Sequence, residues 1–150
     1  IARRQRQMCI RDSAKALLEK CPDFDVILTA EAKGIPLAYE MSRQSGKQWI
    51  PARKGVKGYM ADPVIVEDQS ITTAGKQTLV IDKKDLDYMN GKRILVVDDV
   101  ISTGGSLHAL DALAARSSGT IVAQAAVLAE GDAAERKDII FLEPLPLFAH

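Results

Sequence analysis

Hydrophobic residues occur along this chain in two alternating patterns, short continuous apolar runs and stretches with helical spacing. The apolar runs at 26–30, 49–52, 94–97, 121–128 and 139–141 predict strands, and the runs at 26–30 and 94–97 are typical of central parallel strands buried on both faces. Helical spacing predicts helices at about 4–20, 35–45 and 105–116. This alternation predicts an α/β domain with a mostly parallel sheet flanked by helices.

The composition changes between residues 55 and 78, where Gly, Lys, Asp, Thr and Ser predominate. A strand-like island at 64–66 and a return strand at 78–81 interrupt this polar stretch. Long irregular connections in compact domains are usually functional lids or disordered segments. We therefore expect a long mobile loop or a flexible two-stranded flap at about 55–78.

Composition and charge narrow the class of protein. With 150 residues and 47% hydrophobic content, the chain fits a single domain covering residues 1–150. Lys plus Arg and Asp plus Glu both number 20, so no overall field favours nucleic acid or an anionic membrane. No apolar run approaches the roughly 18 residues of a membrane span, and Cys9 and Cys21 lack zinc-site spacing. We expect a cytoplasmic protein with reduced thiols.

The segment from Val97 to Ser106 has the most distinctive chemistry. Two carboxylates, Asp98 and Asp99, follow an apolar strand and precede a Ser-Thr-Gly-Gly-Ser run at 102–106 that opens a helix. Glycines let an anion approach the backbone, and the N–H groups at a helix N-terminus favour a phosphate. The carboxylates suit sugar hydroxyls or a hydrated metal ion. An ordinary strand-to-helix turn with capping side chains is the alternative.

The spacing of a Walker phosphate loop and the dinucleotide-binding fingerprint are both absent from the sequence. Instead, the segment resembles the phosphoribosyl pyrophosphate signature of type I phosphoribosyltransferases. The resemblance implies a Rossmann-like fold in which Asp98 and Asp99 act as catalytic residues at the ribose hydroxyls. It also implies Mg²⁺ as the cofactor, held by the substrate without direct protein ligands and reached by Asp98 or Asp99 through water. The residues implied to bind the ribose 5-phosphate are Ser102, Thr103, Gly104, Gly105 and Ser106.

A second segment, residues 29–34, resembles the pyrophosphate-binding loop of the adenine branch of this family. The resemblance implies that Ala32, Lys33 and Gly34 bind pyrophosphate through backbone N–H groups and the lysine charge. Basic residues after the next strand and in the flap suggest further pyrophosphate contacts, although each alone also fits a solvated loop charge. These residues are Arg53, Lys54 and Lys57.

The resemblance to the purine branch extends over residues 25–148, including the ending at 145–148. It implies a homodimeric purine phosphoribosyltransferase of nucleotide salvage, with adenine as the favoured base and phosphoribosyl pyrophosphate as the donor. Hypoxanthine, guanine or xanthine as the base, and a regulator that senses the donor without catalysis, remain open.

Two departures from the family bear on these alternatives. Residues 70–75 lack the usual acidic-aromatic pair of the flap, which leaves Glu67 or Asp68 as displaced acid/base candidates. Too few residues precede Asp25 for a complete N-terminal hood, so we also expect a truncated start. His108, on the helix after the signature, is expected to be a solvated residue rather than a catalyst.

Overall fold

The computed structural model describes the backbone of residues 2–69 and 76–145 and the side chains of residues 10–68 and 77–144. Residues 70–75 of the predicted flap and 146–148 of the family-like ending lie outside the described residues. The helices are α1 (Ala2–Lys20), α2 (Ile35–Ser45), α3 (Lys83–Tyr88) and α4 (Gly105–Ala114), with a short 3-10 helix at Gly131–Glu135. The strands are β1 (Val26–Ala30), β2 (Gln48–Ala52), β3 (Pro63–Gln69), β4 (Lys76–Asp82), β5 (Arg93–Ile101), β6 (Thr120–Glu130) and β7 (Ile140–Leu145).

The main sheet has five strands in the order β2-β1-β5-β6-β7. Each neighbouring pair in it is parallel. Apolar residues at successive positions of the central strands belong to opposite faces: Val26 and Ile94 lie in one core cluster, Ile27 and Leu95 in the other. The prediction of an α/β fold with a central parallel sheet flanked by helices is therefore confirmed.

The helices cover the sheet as the alternation of elements requires. Leu17 of α1 and Met41 of α2 are fully buried in the cluster on one face. Leu110 and Leu113 of α4 are fully buried in the cluster on the other. Helix α2 ends at Gly46, which adopts a left-handed conformation with φ of 74° that residues with a side chain rarely adopt.

The polar stretch after β2 forms a separate two-stranded antiparallel sheet of β3 and β4. Val66, Leu79 and Ile81 of this sheet are buried in the same cluster as α4. Arg53, just after β2, also pairs with Val80 through two backbone hydrogen bonds of 2.8 and 2.6 Å. The base of the predicted flap is thus part of the core, and opening of the flap stays a prediction.

Some local features differ from those expected. The strand expected at 94–97 continues to Ile101, because Asp98, Val100 and Ile101 pair with β6 and Ile101 is buried. Asp98 and Asp99 therefore lie in a strand rather than in a loop. Helix α3 was not predicted, since its six residues bury only Leu86 and give no periodic pattern. None of the helices described within 2–69 and 76–145 has the length and apolar character to cross a bilayer.

Candidate functional site

The carboxyl ends of β1, β2, β5 and β6 lie at one edge of the parallel sheet, where ligands bind in open α/β folds. A cavity of about 570 Å³ opens there between the loops that follow these strands. The loops after β1, β2 and β5 all contribute to it, so the three segments singled out in the sequence lie at one place in the fold. Its lining residues are Ala30, Glu31, Ala32, Lys33, Lys54, Asp98, Asp99, Val100, Ser102, Ser106 and Glu130.

The loop after β1 turns closely against β5. Gly34 is the N-cap residue immediately before α2, and a Cβ at this position would lie 2.2 Å from Oγ1 of Thr29 and 3.4 Å from Oδ1 of Asp98. Thr29 is fully buried and its hydroxyl donates a 2.8 Å hydrogen bond to the carbonyl oxygen of Val97. Gly34 therefore allows close approach of the loop to the acidic pair, while Ala32 and Lys33 are exposed beside the cavity.

The carboxylate of Glu31 gathers the basic residues predicted to contact pyrophosphate. Its Oε1 accepts a 2.5 Å hydrogen bond from the backbone N–H of Lys54 and lies 3.9 Å from Nζ of Lys57. Its Oε2 lies 3.8 Å from Nη1 of Arg53. Arg53 also donates from Nε to the hydroxyl of Tyr59 at 3.0 Å. The side chains of Arg53 and Lys57 thus lie beside the Glu31 carboxylate, whereas Lys54 lines the cavity itself and contacts Glu31 through its backbone N–H.

Asp98 and Asp99 end up half-buried near the carboxyl end of β5. The N–H of Asp99 donates to Oδ1 of Asp98, and the N–H of Val100 donates to Oδ1 of Asp99, each at 2.8 Å. Burial and the hydrogen-bonded, like-charged Asp99 raise the pKa of Asp98 to about 7. A cationic sugar or a hydrated cation beside the pair would favour the charged form of the Asp98 carboxyl.

Residues 102–106, called here the turn at 102–106, form the connection after β5 together with the first two residues of α4. Gly104 has φ of 83°, a left-handed conformation that favours glycine, and Gly105 is buried. Thr103 accepts a 3.4 Å hydrogen bond at Oγ1 from the N–H of Gly105. A small cavity of about 40 Å³ lies within the turn, whose backbone N–H groups and hydroxyls are donors suited to an anion. All five predicted phosphate-binding residues line it.

Sequence reasoning missed the loop after β6. Glu130 lines the main cavity, and a second cavity of about 500 Å³ lies between Ser102, Thr103 and the segment from Glu130 to Arg136. Because β6 is parallel to β5, its end lies at the same edge, and this rule could have indicated Glu130. The strand had been expected to end two residues earlier. No local pattern indicated Arg136.

The flap candidates have a different setting. Asp68 is buried, and its Oδ2 lies 2.6 Å from Nδ1 of His108 on α4, so this carboxylate faces the helix. Hydrogen bonding to Asp68 raises the pKa of His108, whose side chain is 65% exposed. His108 is thus solvated as expected, but it also joins α4 to β3. Within the described part of the chain, no three His, Cys, Asp or Glu side chains are grouped as metal ligands.

This chain is similar in sequence to known proteins over most of its length. Residues 4–143 match the family model described as "Phosphoribosyl transferase domain". Over 110 residues, 73% of this chain, the sequence is 31% identical to an adenine phosphoribosyltransferase of Malacoplasma penetrans. It is 35% identical over 102 residues to the protein of that name from Ruminiclostridium cellulolyticum. The chain spans 61% and 54% of the lengths of these two relatives.

Solved structures show the same fold. The crystal structure of adenine phosphoribosyltransferase from Thermoanaerobacter pseudethanolicus superposes with a TM-score of 0.79 at 24% identity, covering 92% of this chain and 81% of that one. The enzyme from Trypanosoma brucei, in complex with AMP, pyrophosphate and ribose-5-phosphate, gives a TM-score of 0.67 at 19% identity, covering 91% of this chain and 63% of that one.

Proposed function

We propose, since this chain belongs to the phosphoribosyl transferase domain family, that it transfers ribose 5-phosphate from phosphoribosyl pyrophosphate to a purine base and releases pyrophosphate. The cavity of about 570 Å³ carries the proposal, because it combines an acidic pair, hydroxyl donors and cations at one sheet edge. Adenine is the favoured base, which the names of the relatives support.

The site residues receive their roles from this chemistry. Ser102, Thr103, Gly104, Gly105 and Ser106 hold the ribose 5-phosphate through N–H and hydroxyl donors. Ala32, Lys33 and Gly34 hold the pyrophosphate, and Arg53, Lys54 and Lys57 add positive charge to the same side. The Trypanosoma brucei enzyme of the same fold is described in complex with AMP, pyrophosphate and ribose-5-phosphate, which supports these classes of ligand but not the roles of single residues.

Mg²⁺ fits the acidic pair as a cofactor that the substrate brings. This cation is usually held by one or two carboxylates together with substrate oxygens and water, and the adjacent carboxyls of Asp98 and Asp99 line the cavity. They would contact the hydrated ion or the ribose hydroxyls. When bound, the ion supplies positive charge that stabilises the departing pyrophosphate.

The reaction needs no covalent intermediate with the protein. A ring nitrogen of the purine forms a bond to ribose C1 while the bond from C1 to the pyrophosphate oxygen breaks. The bonding electron pair leaves with pyrophosphate, and the proton of the purine nitrogen passes to water. Asp98 and Asp99 stabilise the positive charge that develops on the sugar, and Lys33 and Lys54 the negative charge that develops on the leaving group.

Incubation with phosphoribosyl pyrophosphate, Mg²⁺ and each of adenine, hypoxanthine, guanine and xanthine tests the proposal, with nucleotide and pyrophosphate measured together. We expect AMP as the main product and a large loss of kcat in the Asp99→Asn variant. Asp12→Asn, an exposed change on α1, is the matched control. The absence of nucleotide product with all four bases would refute the proposed transferase activity. Binding of phosphoribosyl pyrophosphate without turnover would instead indicate a regulator that senses the donor.

The family resemblance also supports a homodimer in the cytoplasm as part of this proposal. Light scattering of the purified protein gives the molar mass directly. We expect twice the 16.3 kDa of one chain, and a monomer at all concentrations used for the assay would contradict it.

A further inference from the structure

Arg136 lies against the turn proposed to hold the ribose 5-phosphate. It follows the 3-10 helix Gly131–Glu135 after β6, and β6 is the neighbour of β5 in the sheet, so the loops after these two strands face each other. Its Nη1 atom lies 3.1 Å from the position that a Cβ on Gly104 would take. A Cβ at position 104 would therefore require the guanidinium to shift by a few tenths of an ångström, whereas glycine leaves room for it.

Asp138 fixes the orientation of this guanidinium. Nε and Nη2 of Arg136 donate to the two carboxylate oxygens of Asp138 at 2.9 and 2.6 Å. A paired contact of this kind aligns the planar fork and leaves the Nη1 edge on the opposite side. That edge faces Gly104, and Arg136 lines the same cavity of about 500 Å³ as Ser102 and Thr103.

The distribution of charge in the site indicates what the Arg136 guanidinium could bind. The four basic residues predicted from the sequence all follow β1 or β2, on the side proposed for pyrophosphate. The turn at 102–106 supplies only neutral N–H and hydroxyl donors of its own to a phosphate monoester that carries close to two negative charges. A guanidinium beside Gly104 adds the positive charge that this turn lacks.

We propose that Arg136 binds the 5-phosphate of the ribose substrate through its Nη1 edge and that Asp138 is the positioning residue for it. The inference rests on the proposed function, because it assumes a phosphate monoester in the turn at 102–106. It adds a fourth loop to the site, the one after β6. The ligand class is any ribose 5-phosphate ester, both the donor and the nucleotide product.

The affinities for ribose 5-phosphate and for Mg²⁺-pyrophosphate, measured separately by calorimetry, test this role. Arg136→Gln is expected to weaken ribose 5-phosphate about 10- to 100-fold, as for loss of a charge-assisted hydrogen bond, and to leave pyrophosphate within about twofold. The affinity of Arg136→Lys for ribose 5-phosphate should fall between those of Arg136→Gln and wild type, and Asp138→Asn should resemble Arg136→Lys. Lys137→Gln, an exposed neighbouring cation, is the matched control and should bind both ligands like wild type.

The two ligands separate a binding role from a structural one. Arg136→Gln binding ribose 5-phosphate as tightly as Lys137→Gln would overturn the inference, and so would an equal loss for both ligands. Should Arg136→Gln fail to fold, the same comparison of ligands in Arg136→Lys decides. Wild-type protein that binds neither ribose 5-phosphate nor phosphoribosyl pyrophosphate would refute the proposed function instead.

Discussion

Substitution of Gly34 by alanine tests how closely the loop after β1 must approach β5. The new Cβ would lie 2.2 Å from Oγ1 of Thr29, a distance that non-bonded atoms do not adopt. The Thr29 side chain cannot move away easily, because it is fully buried and hydrogen-bonded to the carbonyl oxygen of Val97. The backbone of Gly34 has φ of −79°, so the cost is one of space and not of backbone conformation.

We expect Gly34→Ala to lower the free energy of unfolding by about 1–3 kcal/mol, the usual range for an overpacked core site. Thr29→Ala removes the obstructing hydroxyl but leaves the Val97 carbonyl without that donor, at a cost of about 1–3 kcal/mol. In the double variant the two changes compensate, since the methyl group added at position 34 enters the space that the hydroxyl vacated. The double variant should therefore be more stable than the sum of the single changes by about 1–2 kcal/mol.

Urea unfolding followed by the fluorescence of Trp49, the only tryptophan, measures each of these stabilities. Gly58→Ala is the matched control because nothing lies within 4 Å of its added Cβ and its φ is not in the left-handed range. It should change the stability by less than about 1 kcal/mol. Additive losses in the double variant, or a Gly34→Ala stability equal to that of Gly58→Ala, would refute the reasoning.

Three further outcomes follow from other contacts. Gly119→Ala should cost at least about 1–3 kcal/mol of unfolding free energy, because its Cβ would lie 2.4 Å from the carbonyl oxygen of Met89; unchanged urea unfolding would contradict this. Pairing with Asp68 raises the pKa of His108. The difference in unfolding free energy between wild type and His108→Gln should therefore have its maximum below pH about 6.5 and decline as the pH rises through the raised pKa. A difference that does not depend on pH would contradict a stabilising pair. Burial raises the pKa of Cys21 to about 11, so iodoacetamide should modify it faster in urea than in the folded protein, as mass spectrometry can measure; equal rates would argue against burial.

The sequence predicted the elements whose boundaries have local causes. Strand β1 is a continuous apolar run, and it occupies the expected residues 26–30. Helix α2 occupies the expected residues 35–45, because Pro36 lies in its first turn and Gly46 supplies the left-handed end. In both cases the residues that start or stop the element lie next to it in the sequence.

Boundaries and contacts that depend on distant residues were missed. Strand β5 continues through two carboxylates because Asp98 and Val100 have partners in β6, at Ala126 and Leu128. No local pattern carries that information. The acidic pair and the turn after it were still identified because they are contiguous, whereas the approach of Arg136 to Gly104 depends on which strands are neighbours in the sheet.

The proposed function requires a chain with no formal net charge to hold a polyanionic donor, and the distribution of charge around the cavity is consistent with that requirement. The loops after β1 and β2 bring Lys33, Lys54 and Glu31 to the cavity, and the side chains of Arg53 and Lys57 lie beside the Glu31 carboxylate. Strand β5 brings the acidic pair between this cationic side and the turn at 102–106. Phosphoribosyl pyrophosphate has the matching order, with pyrophosphate at one end, ribose hydroxyls in the middle and a phosphate at the other end. A donor bound in the reverse direction would still place its ribose hydroxyls beside the acidic pair. Its pyrophosphate, the more highly charged end, would then lie at the turn at 102–106 and would lose the basic residues that follow β1 and β2. Under the proposed function, this separation of charge favours one orientation of the donor, and Arg136 would complete it at the phosphate end.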